Sequence, residues 1–204
     1  MQNNDVAIIL AGGQGSRFGG KKQFIKFQGK ALWRHVYDKI LTLLPKENIV
    51  VVGVDVQGGK SRSHSVINGL NYFKGKQIRK VLIAEAARPL VTIEQLKQIL
   101  ANNSESATFV MPLVNTPIKR DGTYVNRTDY YDLLPPQAFS FDLLVKAYES
   151  KPEWDLTDET RLMYEFYKIK PQFVEGAQNL FKVTYARDIP ILKDIAKRQS
   201  KGEI

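Results

Sequence analysis

The sequence predicts an α/β fold, a mostly parallel sheet with helices on both faces and a short β-arm, and three observations carry that expectation. Short β-branched apolar runs alternate with stretches of helical period along the chain. A length of 204 residues, 43% hydrophobic and 25% charged, suits one domain that buries its own core, expected here over 1–204. A loop rich in glycine directly follows the first apolar run, as where a strand ends at a ligand.

Taken in order, residues 6–10 are continuously apolar and read as a buried strand. Residues 31–44 then place Leu32, Val36, Ile40, Leu43 and Leu44 on one helical stripe. Residues 48–54 (NIVVVGV) are β-branched enough for a strand buried on both faces. Gln57-Gly58-Gly59 makes a turn, and Ser61 and Ser63 supply the cap of a helix bearing Val66, Leu70 and Phe73. Residues 79–84 read as a strand, 93–100 as a helix and 108–114 as a strand, joined by right-handed crossovers. The pattern changes after Thr116. An arm is expected over 116–135, leaving the sheet and returning at Pro135-Pro136. Ser140 caps a helix over 140–149, and another helix starts at Thr157, where Asp158 and Glu159 favour its positive amino end. Residues 173–175 and 181–184 read as two late strands, and 189–198 as a closing helix.

Composition excludes several chemistries. The absence of cysteine removes disulfides, thiolate nucleophiles and sulfur-bound zinc. His35 and His64 stand far apart and form no H-x-x-x-H or H-x-H pair, which excludes metalloprotease chemistry. No apolar run reaches the roughly 18 residues needed to span a bilayer, and residues 1–10 lack the basic flank of a secretion signal. A soluble cytoplasmic protein is expected. The net charge of +9 is concentrated: residues 1–100 hold 16 Lys or Arg against 6 Asp or Glu, the remainder 14 against 15. Arg17, Lys21, Lys22, Lys26 and Lys30 run through and beyond the glycine loop, an arrangement that suits a small polyanion better than nucleic acid. For Lys26, Lys30 and Lys39 a solvated basic face is the plainer alternative.

The loop itself, residues 10–23 (LAGGQGSRFGGKKQ), lets backbone amides approach oxygen anions closely, so phosphate is the natural guest. Two phosphate motifs fail on inspection. From Gly13 a G-x-G-x-x-G fingerprint meets Phe18 at its third glycine, and Gly15-x-x-x-x-Gly20-Lys21 is followed by Lys22 where a P-loop needs Ser or Thr. What remains is a looser nucleotidyltransferase loop, with Arg17 and Lys22 placed to stabilise charge on phosphate; a purely structural glycine turn is the alternative.

L-A-G-G-x-G-x-R-F followed by K-K-Q resembles the signature loop of the 2-C-methyl-D-erythritol 4-phosphate and ribitol 5-phosphate cytidylyltransferases. Five further segments fall in register. Residues 58–70 (GGKSRSHSVINGL) resemble G-G-x-x-R-x-x-S-V-x-N-G-L, and Glu85-Ala-Ala-Arg88-Pro89 resembles D-A-A-R-P. Pro136-Gln137-x-Phe139 resembles the T-P-Q-x-F turn, Thr157-Asp158-Glu159 resembles T-D-[DE], and Lys182-Val-Thr184 with Asp188 resembles K-[VI]-T-x-x-x-D. The resemblance implies a Rossmann-like fold of nucleotidyltransferase type. It also implies a CTP-dependent enzyme that makes a CDP-alcohol and pyrophosphate from a sugar-alcohol phosphate. It implies Arg17 and Lys22 as catalytic, and Leu10, Ala11, Gly12, Gly13, Gly15, Gly59, Arg62 and Ser65 as nucleotide-binding. Arg88, Arg127, Thr157 and Lys182 would hold the acceptor, and Glu85 would hold Mg²⁺. On the residues alone, Ser65 serves equally as a helix cap, Arg62 as a surface ion pair and Glu85 as a partner of Arg88.

The chain departs from the family pattern at Glu85 for Asp, Ala84 for His and Lys21 for Pro, and its loop from Arg17 to Lys22 is shortened. Leu10-Ala11-Gly12-Gly13, where many methylerythritol enzymes have P-A-A-G, leans toward a polyol phosphate such as ribitol 5-phosphate. A homodimer through the arm is implied, with Arg127 reaching the neighbouring subunit. The alternatives are a sugar-1-phosphate nucleotidyltransferase, or a non-catalytic binder of nucleotide or nucleic acid.

Overall fold

A computed structural model describes residues 4–150 and 156–203. Strand β1 (Asp5–Leu10) leads into the glycine loop, and a small hairpin of β2 (Lys26–Phe27) and β3 (Lys30–Ala31) precedes helix α1 (Leu32–Leu41). Then come β4 (Ile49–Val52), α2 (Arg62–Tyr72), β5 (Lys80–Glu85), α3 (Ile93–Ala101) and β6 (Ser106–Pro112). The chain ends with β7 (Tyr131–Ser140), α4 (Phe141–Ser150), α5 (Glu159–Tyr167), β8 (Gln172–Glu175) and α6 (Asp188–Ser200).

Six strands form one sheet in the order β4-β1-β5-β7-β6-β8. β1 pairs in parallel with β4 and β5, β8 pairs in parallel with β6, and β7 alone runs against its neighbours β5 and β6. The chain therefore moves to one side of β1 and then to the other, which opens a crevice beyond the carboxyl ends of β1, β4 and β5. Register makes that edge level: Leu10 pairs with both Val52 and Glu85.

Alternation along β1 divides the core. Ala7 and Ile9 face Val36 and Ile40 of α1 and Leu96 and Ile99 of α3. Val6 and Ile8 face Val66 and Leu70 of α2, Leu144 of α4 and Met163 of α5. Each fully buried side chain of this kind contributes about 1.5–3 kcal/mol. A third cluster joins Phe27, Leu32, Leu90 and Val183 to Leu192 and Ile195 of α6, seating the last helix beside the loop-bearing edge.

Three elements differ from the sequence reading. β7 was unforeseen because Pro135 and Pro136 lack the N–H groups of a ladder. The structure accommodates them at an irregularity, where Thr108 pairs with Gln137 but Phe109 pairs with Leu134, leaving both prolines unmatched. The excursion therefore rejoins the sheet at Tyr131, before the prolines, and only the stretch with the Ile118–Tyr124 bridge stands outside it. Residues 181–184 are not a strand. Only Val183 N–H reaches across, to the Ala87 carbonyl, and Thr184 and Tyr185 N–H turn instead to Asp188 Oδ2 at 2.7 and 2.8 Å, shaping the entry of α6. Ser140 ends β7 rather than forming part of a helix, and the cap of α5 is Asp158, which accepts from Thr160 N–H.

Candidate active site

The carboxyl edge of the sheet carries a hollow of about 390 Å³. Gly15 shapes its loop wall. At φ +69° it adopts a conformation that favours glycine. Its carbonyl accepts from the N–H groups of Phe18, Gly19 and Gly20, and a Cβ there would strike the Gly20 carbonyl. Gln23, buried, donates from Nε2 to the Gly13 carbonyl at 3.0 Å and ties the loop's two arms together. Opposite, Gly12 and Gly58 meet backbone to backbone, a Cβ on Gly12 falling 2.8 Å from Gly58 Cα. Ser61, not Ser65, caps α2 by accepting from His64 N–H. Ser65 Oγ accepts from Gly59 N–H at 3.0 Å and donates to the Ser61 carbonyl, so it fixes the second glycine turn against the hollow.

Leu10, Ala11, Gly12, Gly13, Gly15, Arg17, Lys22, Gly59, Arg62, Ser65, Glu85 and Lys182 all line this hollow. A second hollow, of about 350 Å³, adjoins it and takes Arg88 and Thr157 into its lining together with Glu85 and Lys182. Arg127 stands apart. It lies exposed beyond the sheet, lines neither hollow within the chain, and donates to the Val114 carbonyl at 2.6 Å. Of the other basic residues, Lys30 pairs with Asp38 at 2.5 Å and Lys39 donates to the Pro89 carbonyl at 2.7 Å, both away from the hollow. Burial lowers the Lys39 pKa to about 8. Gln23, Gly58 and Glu159 also shape the site, and the K-K-Q, G-G and T-D-E segments are their only signal in the sequence.

Electrostatics at the floor centre on Glu85. Lys182 Nζ lies 2.9 Å from Oε2, Arg88 Nε 3.3 Å from Oε2 and Arg62 Nε 3.6 Å from Oε1. Burial pushes the carboxyl pKa up, but Lys182, then Arg88 and Arg62, outweigh it and hold the group at about 2. Arg88 also donates to the Leu180 carbonyl. Arg62 is no surface pair, because Glu159, fully buried, takes its Nη1 on both oxygens. Burial works against the Arg62 charge, yet Glu159 and Glu85 together raise its pKa above the ordinary value. Lys22 shifts the other way: half-burial, then the Lys182 and Arg17 charges, lower its pKa. Five cations and one carboxylate line the first hollow, which is thereby built for a polyanion.

Among the described residues no group of three His, Cys, Asp or Glu could enclose a metal ion. Glu85 is the one carboxylate of the first hollow and already faces Lys182, Arg88 and Arg62, so a hard divalent ion there would take most of its oxygen ligands from substrate phosphates.

The family model described as "IspD: 2-C-methyl-D-erythritol 4-phosphate cytidylyltransferase" matches residues 6–198. The chain belongs to this family. It is a cytidylyltransferase, an enzyme of CTP-dependent nucleotidyl transfer. It is 32% identical to the 2-C-methyl-D-erythritol 4-phosphate cytidylyltransferase of Thermotoga neapolitana over 95% of this chain and 97% of that protein. The enzyme of the same name from Caldicellulosiruptor bescii is 31% identical over 94% and 97%. The crystal structure of 4-diphosphocytidyl-2C-methyl-D-erythritol synthase from Anaerococcus prevotii shares the fold, with TM-score 0.78 at 22% identity over 96% of this chain and 99% of that one. For this cytidylyltransferase, two adjoining hollows match a reaction between two phosphorylated substrates.

Proposed function

We propose that this cytidylyltransferase takes 2-C-methyl-D-erythritol 4-phosphate as its acceptor, with CTP in the first hollow and the acceptor in the second. The observation that carries the reading is the wall they share, formed by Glu85 and Lys182, with five cations lining the first hollow and Arg88 beside Lys182 in the second. The names of relatives at about 30% identity over nearly their whole length favour this acceptor and outweigh the lean of Leu10-Ala11-Gly12-Gly13 toward ribitol 5-phosphate.

An oxygen of the acceptor phosphate bonds to the α-phosphorus of CTP in line with the departing group. The bond from that phosphorus to the bridging oxygen breaks, and pyrophosphate leaves with the electron pair. Arg17 and Lys22, at the loop, stabilise the charge that grows on the equatorial and leaving oxygens. The loop glycines and the Gly59 turn held by Ser65 surround the nucleotide. Arg88, Thr157 and Lys182 orient the acceptor phosphate. Glu85 would hold Mg²⁺, which would supply charge neutralisation on the substrate phosphates. Arg127 serves the second hollow of a neighbouring subunit, so the working form is a homodimer, and a cytoplasmic one.

Pyrophosphate release from CTP, measured with a panel of alcohol phosphates, tests the reading. Turnover with 2-C-methyl-D-erythritol 4-phosphate at least about a hundredfold above ribitol 5-phosphate is expected, together with loss of activity on chelation of magnesium. Equal or better turnover of ribitol 5-phosphate would overturn the acceptor, full activity in chelator the metal, and a monomer at working concentration in sedimentation the dimer.

A further inference from the structure

Glu159 lines neither hollow, yet its side chain is placed with unusual care. It is completely buried in the first turn of α5, where a carboxylate is costly unless paired. Arg62 Nη1 lies 2.5 Å from Oε1 and 2.7 Å from Oε2, and Tyr148 OH donates to Oε1 at 2.9 Å. Beside this pair, Ser63 Oγ donates to the Leu156 carbonyl at 3.1 Å and accepts from Leu156 N–H at 3.0 Å. The start of α5 is thus stitched to the start of α2.

The pairing decides how the Arg62 guanidinium is turned at the first hollow. With Nη1 directed at Glu159, the guanidinium keeps Nε and Nη2 buried and without a hydrogen-bond partner among the described residues. Nε is 3.6 Å from Glu85 Oε1, an ionic distance rather than a hydrogen bond. Buried donors left unmatched are rare in folded proteins and mark strain, a functional role or a bound water or ion. Arg62 lines the first hollow and not the second.

We propose that Glu159 is a positioning residue for nucleotide binding: through Arg62 it fixes the guanidinium charge, and the Glu85 carboxylate that charge faces, at the floor of the nucleotide hollow. This rests on the first hollow being the CTP site. Glu159 touches no substrate and acts wholly through the arginine it orients, with Tyr148 fixing the carboxylate in turn. Because Arg62 itself lines the first hollow only, the effect falls chiefly on CTP.

CTP affinity by calorimetry without acceptor, KM for both substrates, and melting temperature are to be measured for Glu159→Gln, Arg62→Met, the double variant and Tyr148→Phe. Glu159→Gln weakens CTP binding about tenfold or more and leaves the acceptor KM within about twofold. The double variant binds CTP no worse than Arg62→Met alone, because the two act as one unit. Tyr148→Phe, which keeps both charges, shows a smaller loss of the same kind and carries the test should Glu159→Gln not fold. A Glu159→Gln or Tyr148→Phe protein that melts lower but binds CTP normally would overturn the proposal, as would additive losses in the double variant. A wild-type protein that binds no CTP removes the nucleotide reading and this one with it, whereas the other outcomes concern Glu159 alone.

Discussion

Lys182 Nζ stands 2.9 Å from Glu85 Oε2, and these are the two side chains common to the linings of both hollows. The carboxylate ends β5, while the lysine comes from the segment entering α6, 97 residues later. On the proposed function, an acceptor phosphate in the second hollow would compete with Glu85 for that ammonium, so one lysine would both balance the carboxylate and receive the substrate.

Lys182→Met therefore separates the two substrates. A loss of about a hundredfold in kcat/KM for the acceptor, equivalent to about 2.7 kcal/mol, is expected with a much smaller change in CTP affinity. Initial rates at varied concentrations of each substrate distinguish this from a general loss.

Arg17→Ala and Lys22→Ala should each lower kcat by about a thousandfold. Neither should reduce thermal stability. Arg17 is exposed, and the depressed pKa of Lys22 shows that its surroundings disfavour its charge, so removing that charge relieves the fold. Melting curves beside turnover check both halves, and a large drop in melting temperature would assign the loop cations a structural role instead.

Acid stability reports Glu85. Its folded pKa of about 2 lies below the ordinary carboxyl value of 4.5, so its stabilisation is fully present above about pH 5 and is lost as pH falls toward 2. The depression corresponds to about 3 kcal/mol. Urea unfolding from pH 7 to pH 2 should show wild type more stable than Glu85→Gln at neutral pH, with the gap closing between pH 5 and pH 2. A gap independent of pH would contradict the ion cluster.

The two glycines that begin the loop should respond differently to a methyl group. Gly12→Ala drives a Cβ to within 2.8 Å of the Gly58 backbone and should cost about 1–3 kcal/mol, whereas nothing lies within 4 Å of a Cβ on Gly13. Unfolding free energies of the two variants decide this, and equal stability would show that the Gly12–Gly58 approach is not tight.

The local elements were legible because their signals are local. The apolar stripe of α1 and the continuous run of β4 state their burial directly, and the glycine loop with Arg17 and Lys22 stands at one hollow, as its position after the first strand implies. β7 is not legible, since its paired prolines argue against a strand until a bulge of β7 against Thr108 and Phe109 leaves them unmatched. Residues 181–184 misled in the other direction: their apolar character serves α6 packing rather than a ladder.

The sequence by itself determined that a glycine-rich loop follows a buried strand, and which cations accompany it. Only the tertiary structure decided how those charges are shared. That Glu85 is held by Arg62, Arg88 and Lys182, and Arg62 in turn by Glu159, depends on contacts between residues up to 97 positions apart. Coulomb attraction acts through space and desolvation through burial, and neither is set by separation along the chain.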